Sequence, residues 1–165
     1  MKLFKTMPIT IRPYTPTDKP ACIAAFKSNM PRFFAPAELP DFEEWLREQD
    51  ARYTSPIKNN DEQYYVALLE EQVIGCGGYY IDTARQEAKM TWGLITNSLH
   101  KQGFGKQLFL YRINMIRSVC PLCRIGLDTT QHSWPFFGKL GFTVTRITKE
   151  GYGPGLDRYD MELPV

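Results

Sequence analysis

The chain has 165 residues, which at roughly 100–200 residues per domain reads as one domain over residues 1–165, long enough to bury a core without disulfide or metal staples. Hydrophobic residues make up 43% and charged residues 23%, a globular balance that excludes wholesale disorder. Lys and Arg number 20 against 18 Asp and Glu, and the net charge of +2 is too small for a whole-domain partnership with nucleic acid or a membrane surface.

Ile9, Ile11 and Tyr14 predict a short first strand. Thr17 and Asp18 open a helix, Pro20 fits its first turn, and Ile23, Ala24 and Phe26 carry it toward Asn29. Pro31, Pro36 and Pro40 make Met30 to Pro40 irregular, and Phe42, Trp45 and Leu46 mark one face of a second helix over Asp41 to Ala51. Three strands then follow through short connections: Tyr64 to Leu69, Val73 to Asp82 and Glu87 to Ile95, an antiparallel meander. Gly75, Gly77 and Gly78 inside the middle strand predict a bulge or a close approach of another chain or ligand. Strict alternation in the third of them places Ala88, Met90, Trp92 and Leu94 on one face.

After a loop containing Asn97 and Ser98, a glycine-rich segment leads into a long helix. Leu108, Tyr111, Met115 and Val119 are at helical spacing, with Phe109, Ile113 and Ile116 beside them, and Pro121 ends it. Cys123 to Asp128 is a fifth strand, Ser133 to Leu140 a short helix closed at Gly141, and Phe142 to Thr148 a sixth strand. A turn over Gly151 to Gly155 precedes a last strand, Arg158 to Leu163. The order βααβββαβαββ defines a mixed α/β domain.

Four cysteines are present, and only Cys120 and Cys123 are close. A lone C-x-x-C, with His100 and His132 isolated, favours free thiols over a zinc or redox centre, so no metal site is expected. No apolar run approaches the ~20 residues that span a bilayer, and Met1 to Thr10 lacks the pattern of a signal peptide, so the expected location is cytoplasmic.

The most informative segment is Leu94 to Lys106, a strand, a loop and the glycine-rich start of a helix. Without side chains at Gly103 and Gly105, backbone amides can approach a phosphate closely and the helix dipole adds to the attraction. A tight turn into a helix is the bland alternative. Neither a Walker nor a Rossmann fingerprint is complete here. From Ile95 to Leu127 there is no Asp or Glu, while Lys101, Lys106, Arg112, Arg117 and Arg124 all fall in that stretch, which suits a polyanion as well as a solvated helix face.

His100-Lys101-Gln102-Gly103-Phe104-Gly105 resembles the Gln/Arg-x-x-Gly-x-Gly/Ala signature of the GNAT superfamily of acyl-coenzyme A-dependent N-acyltransferases, with His100 departing at the first position. Phe136-Phe137-Gly138-Lys139-Leu140-Gly141-Phe142 resembles the same family's Phe-Tyr-x-Lys-x-Gly-Phe joint. The elements from Ile9 to Leu163 keep the family's order. The resemblance implies a central, mostly antiparallel sheet splayed between strands 4 and 5 and flanked by helices. It also implies an N-acetyltransferase that moves the acetyl group of acetyl-CoA, without a metal, to a primary amine of a small molecule or a protein. By the same resemblance the pantetheine arm pairs with Leu94, Ile95 and Thr96, and the pyrophosphate sits on Gln102, Gly103, Phe104, Gly105 and Lys106. A homodimer is common among such relatives. A non-catalytic acyl-CoA sensor of the same fold is the alternative reading.

The acid and base depart from the family pattern. Where many relatives carry a Tyr that protonates the leaving thiolate, this chain has Phe137; where some carry a basic Glu, it has Lys89, with Glu87 two residues earlier on the same face. Glu87 is a candidate base or an exposed strand-edge carboxylate. Asp128 lies close to the expected splay and is a catalytic candidate or, with Thr130 and Ser133, a helix cap. His132 is a candidate acid or base or a surface histidine. The acceptor site is expected between the Asn29 to Pro40 stretch and the Gly151 to Asp160 loop, with Arg32, Phe33, Phe34, Tyr152 and Arg158 able to bind. The acid-rich stretch Glu38 to Glu71 favours a cationic amine.

Overall fold

The computed structural model describes residues 7–165; the first lysines of the Met1 to Thr10 segment lie outside the described residues. Among the described residues seven strands form one sheet: β1 (Thr10–Pro13), β2 (Glu62–Leu69), β3 (Gln72–Asp82), β4 (Glu87–Ile95), β5 (Arg124–Thr130), β6 (Thr143–Gly153) and β7 (Leu156–Leu163). Their order across the sheet is β1-β2-β3-β4-β5-β7-β6, and only β4 and β5 run parallel. The helices are α1 (Lys19–Ser28), α2 (Leu39–Thr54), α3 (Phe104–Val119) and α4 (Trp134–Gly138). Helix α2 begins two residues before the predicted Asp41 because Pro40, which lacks an N–H, fits the first turn where no intrahelical partner exists.

Each face of the sheet has its own core. On one, Phe26 and Cys22 of α1 and Phe42 and Leu46 of α2 meet Tyr64, Val66, Cys76 and Leu94. On the other, Phe109 and Ile116 of α3 meet Tyr65, Tyr79, Met90, Ile125 and Leu127, and Phe104 and Leu108 meet Ala67, Ile74 and Ile95. The start of α1 is fixed by Asp18. Its buried carboxylate takes Arg12 in a bidentate pair at 2.8 and 2.9 Å and accepts the Thr15 N–H at 2.9 Å. Burial alone works to raise the Asp18 carboxyl, but the bonds from Arg12 and Thr15 outweigh it and hold it below the usual carboxylate range.

Three expectations are corrected. First, β4 does not alternate along its length. Ala88 and Met90 face α3, but Trp92 and Leu94 join the core of α1 and α2. The register slips between Cys76 and Gly78, opposite Trp92 and Gly93, and Trp92 has φ +35°. A bulge of one residue turns every later side chain to the other face. Second, of the apolar positions read on α3, Leu108, Phe109 and Ile116 are buried, joined by Phe104 and Arg112, while Val119 is exposed. Third, Cys120 and Cys123 are joined in a disulfide rather than free. The turn after α3 donates Cys123 N–H to the Cys120 carbonyl and brings the two Cα atoms to 5.4 Å, within disulfide reach.

Candidate active site

The parallel pairing of β4 with β5 is short. Glu87, Ala88 and Lys89 pair with Arg124, Ile125 and Gly126, and there the pairing stops. Beyond Lys89 the two strands diverge, each held on its far side, β4 by β3 and β5 by β7. The free edge of β4 from Lys89 to Ile95 is about 20 Å long at a rise of about 3.3 Å per residue. This edge of β4, without a strand partner, lines a cleft that is closed at Lys89 and open at Ile95.

At the open end lies the start of α3. Gly103 is its N-cap with φ +87°, the left-handed conformation that glycine adopts without cost, and no side chain caps the helix. Lys101 also has φ +62°, a second left-handed residue in the turn that leads into the helix. The N–H groups of Phe104, Gly105 and Lys106 have no intrahelical partner by position, and a Cβ on Gly105 would meet only Ile95 Cγ1 at 3.8 Å. The arrangement fits a bound phosphate: open amides, the positive end of a helix of 16 residues, and exposed Lys101 and Lys106 beside it.

The carbonyl of Ile95 is held by two side chains, His100 Nε2 at 2.8 Å and Asn29 Nδ2 at 2.9 Å. His100, at the signature's departing position, thus pins the last residue of β4. Phe33 packs edge-on against His100 at 5.0 Å and His132 at 6.1 Å, with the Arg32 guanidinium 5.5 Å from its ring centre. Phe34 instead stacks on Phe26 at 4.5 Å and belongs to the core.

At the closed end, on the face of α1 and α2, Asp128 gathers three partners. Tyr152 donates its hydroxyl at 2.5 Å, Lys89 Nζ lies at 3.3 Å and the Arg158 guanidinium at 3.7 Å. Arg158 also binds Asp160 at 3.0 Å. Burial, then the Asp128 charge and hydrogen bond, push the Tyr152 phenol far above its ordinary value, so it keeps its proton and donates. Glu38, which accepts the Ala35 N–H at 2.8 Å, is raised by burial and by the nearby charges of Asp128 and Asp41. Lys89 and Asp160 continue into an open groove of about 350 Å³ that Tyr80, Glu87 and Arg124 also line.

The sequence-derived candidates therefore separate. Asp128, Tyr152 and Arg158 come together at the closed end. Phe33, His100 and His132 form a second group, with His132 exposed and its backbone N–H donated to Thr130 Oγ1 at 3.2 Å. Glu87 lies below the divergence, paired with Arg124 at 2.6 Å and about half exposed. Arg112, read from sequence as part of a basic stretch, is 4% exposed and packs beneath the β4 bulge. Its signal was the spacing Leu108, Arg112, Ile116, which puts the cation on the buried stripe of α3.

A mixed sheet that opens between the parallel pair β4 and β5, with the free N-terminus of a helix at the mouth, is the architecture that the resemblance to acyl-coenzyme A-dependent N-acyltransferases implies. The acetyltransferase (GNAT) family profile matches residues 24–142, and the chain belongs to that family. It is accordingly an N-acetyltransferase by class, with acetyl-CoA the co-substrate of that class. Solved structures share the fold. A GNAT-family protein of Desulfovibrio desulfuricans is 18% identical with a TM-score of 0.74, over 95% of this chain and 99% of that one. The ribosomal-protein-alanine N-acetyltransferase of Brucella melitensis is 18% identical with a TM-score of 0.71, over 94% and 99%. A Salmonella typhimurium protein solved with its cofactor acetyl-CoA is 18% identical with a TM-score of 0.72, over 96% and 94%. No curated protein matches the chain in sequence. No described helix is long and apolar enough to cross a membrane.

Proposed function

We propose that this chain transfers the acetyl group of acetyl-CoA directly to a primary amine, with Asp128 as the general base. The observation that carries the reading is the divergence of β4 and β5 beyond Lys89 and Gly126, with uncapped amides of α3 at its far end. The amides of Gln102 to Lys106 hold the pyrophosphate, and the free edge over Leu94, Ile95 and Thr96 pairs with the pantetheine arm. The thioester then lies near the bulge at Trp92 and Gly93, next to Asp128. Holding amine and thioester in one cleft replaces a bimolecular encounter by a positioned one.

The amine nitrogen bonds to the carbonyl carbon, and its surplus proton passes to the Asp128 carboxylate, directly or through one water. The carbon–sulfur bond breaks with its electron pair on sulfur. Tyr152 fixes one Asp128 oxygen, and Lys89 and Arg158 approach the other. The acceptor enters from the face of α1 and α2, past Phe33, Arg32 and Tyr152. Calorimetric titration with acetyl-CoA, followed by a panel of amines with detection of released thiol, tests the reading. Binding with thiol release supports it, and absence of binding overturns it. Because Phe137 has no proton to give, a second reading as an acyl-CoA sensor stands; binding without turnover across the panel selects that one.

A further inference from the structure

Arg112 is a buried cation with no counter-ion. Its Nε and Nη2 donate to the Gly78 carbonyl at 3.1 and 2.7 Å, and Nη2 also donates to the Thr91 carbonyl at 3.0 Å. All three bonds end on neutral backbone. Among the described residues no carboxylate pairs with it, and Nη1 makes no hydrogen bond to the protein. Burial lowers the guanidinium to about 10, while Tyr64 and Cys76, the titratable groups that face it, act in the opposite direction. Buried charges are normally paired, because an unpaired one is costly.

The position is built for it. A Cβ on Gly93 would lie 2.5 Å from Arg112 Nη1, and one on Gly77 would lie 2.9 Å from Cζ. Gly93 is itself exposed, on the strand edge that lines the cleft. The positive charge therefore stands directly behind a residue with no side chain. The bulge is also pinned from both faces: the Thr91 carbonyl is turned to Arg112 and the Trp92 carbonyl to the Tyr64 hydroxyl at 2.8 Å.

We propose that Arg112 is a positioning residue for acetyl transfer: it shapes the β4 bulge and places an uncompensated positive charge behind Gly93, where it stabilises the thiolate released when the carbon–sulfur bond breaks. That role offsets the missing proton donor at Phe137. The electron pair stays on sulfur as the thiolate, and no proton has to be delivered to it within the cleft. The inference rests on the proposed placement of acetyl-CoA along β4. The other charged or titratable groups around the cleft are Lys89 and Asp128, paired with each other at 3.3 Å, Arg158 and Tyr152 beside Asp128, and His100 and His132 at the mouth.

The test is the titration of the coenzyme A thiol on the wild-type protein, read from thiolate ultraviolet absorbance and from the pH dependence of coenzyme A affinity. Desulpho-coenzyme A serves as the control without a thiol. Free coenzyme A, titrated under the same conditions, is the reference. The bound thiol is expected to titrate at least about one unit lower, so that coenzyme A binding tightens about tenfold across that range while desulpho-coenzyme A binding stays flat. Arg112→Gln should erase the shift and Arg112→Lys should retain part of it, with circular dichroism reporting whether each variant folds. A bound thiol that titrates like the free one in the wild type overturns the inference whatever the variants do. So does a shift that survives in folded Arg112→Gln. If coenzyme A and its desulpho analogue both fail to bind, the cleft assignment falls with it; binding without a shift removes only the role of Arg112.

Discussion

The two ends of β4 differ in what their backbone meets. At the closed end, Glu87 to Lys89 pair with β5, and the Glu87–Arg124 ion pair sits in solvent. At the open end the strand has one neighbour, β3, and side chains replace the missing strand. Arg112 takes the Thr91 carbonyl, Tyr64 the Trp92 carbonyl, and His100 and Asn29 the Ile95 carbonyl. One strand thus serves as sheet over three residues and as a binding edge over the next six. What separates the two is not residue type but whether a strand partner is present.

The largest effect is expected where the open end meets α3. Gly105→Trp should lower acetyl-CoA affinity by at least about 100-fold; a Cβ there meets only Ile95 Cγ1, and thermal melting of the variant reports whether the indole leaves the fold intact. Wild-type affinity in calorimetry would show that the helix start is only a turn. Next is Asp128→Asn at the divergence. The turnover number should fall about 100- to 1,000-fold with acetyl-CoA affinity kept, which separates a base from a binding group. Steady-state kinetics beside calorimetry decides it.

Two ion pairs supply the smaller effects. Asp18 is 5% exposed, so Asp18→Asn should cost about 1–2 kcal/mol at neutral pH, measured by denaturant unfolding. Its folded-state value is the depressed one. The stabilisation is therefore complete above the ordinary Asp value of about 3.9 and is lost as pH falls through the folded value. The difference between wild type and variant should shrink in acid, and a gap that persists there would assign the cost to shape rather than charge. Glu87→Gln at the closed end should change stability by less than about 0.5 kcal/mol and leave turnover within about twofold. A large loss of turnover would return Glu87 to the list of bases and erase the contrast between the two ends of β4.

Much of this was legible in the chain. The bounds of β4 coincide with the alternating run Glu87 to Ile95, and the glycine-rich start of α3 falls at Gly103 as the motif implies. Asp128 and Tyr152 are each legible as polar candidates, but their hydrogen bond joins residues 24 apart and depends on β7 pairing with β5 on one side and with β6, which carries Tyr152, on the other. The bulge at Trp92 was hidden because alternation reads the same whether or not one residue is inserted into the pairing. Its trace was the glycines of β3, Gly77 above all, which leaves room for the Arg112 guanidinium. Arg112 was hidden because an arginine in a helix reads as exposed until its neighbours four residues away are seen to be buried.

Local periodicity, glycine and proline placement and two short motifs are enough to read the elements, their order and the family from the chain. Tertiary structure alone decided where β4 parts from β5, which way the strand faces beyond its bulge, and which charges meet at the cleft. Those depend on contacts between residues far apart in the chain, and a buried charge without a counter-ion is defined only by everything packed around it.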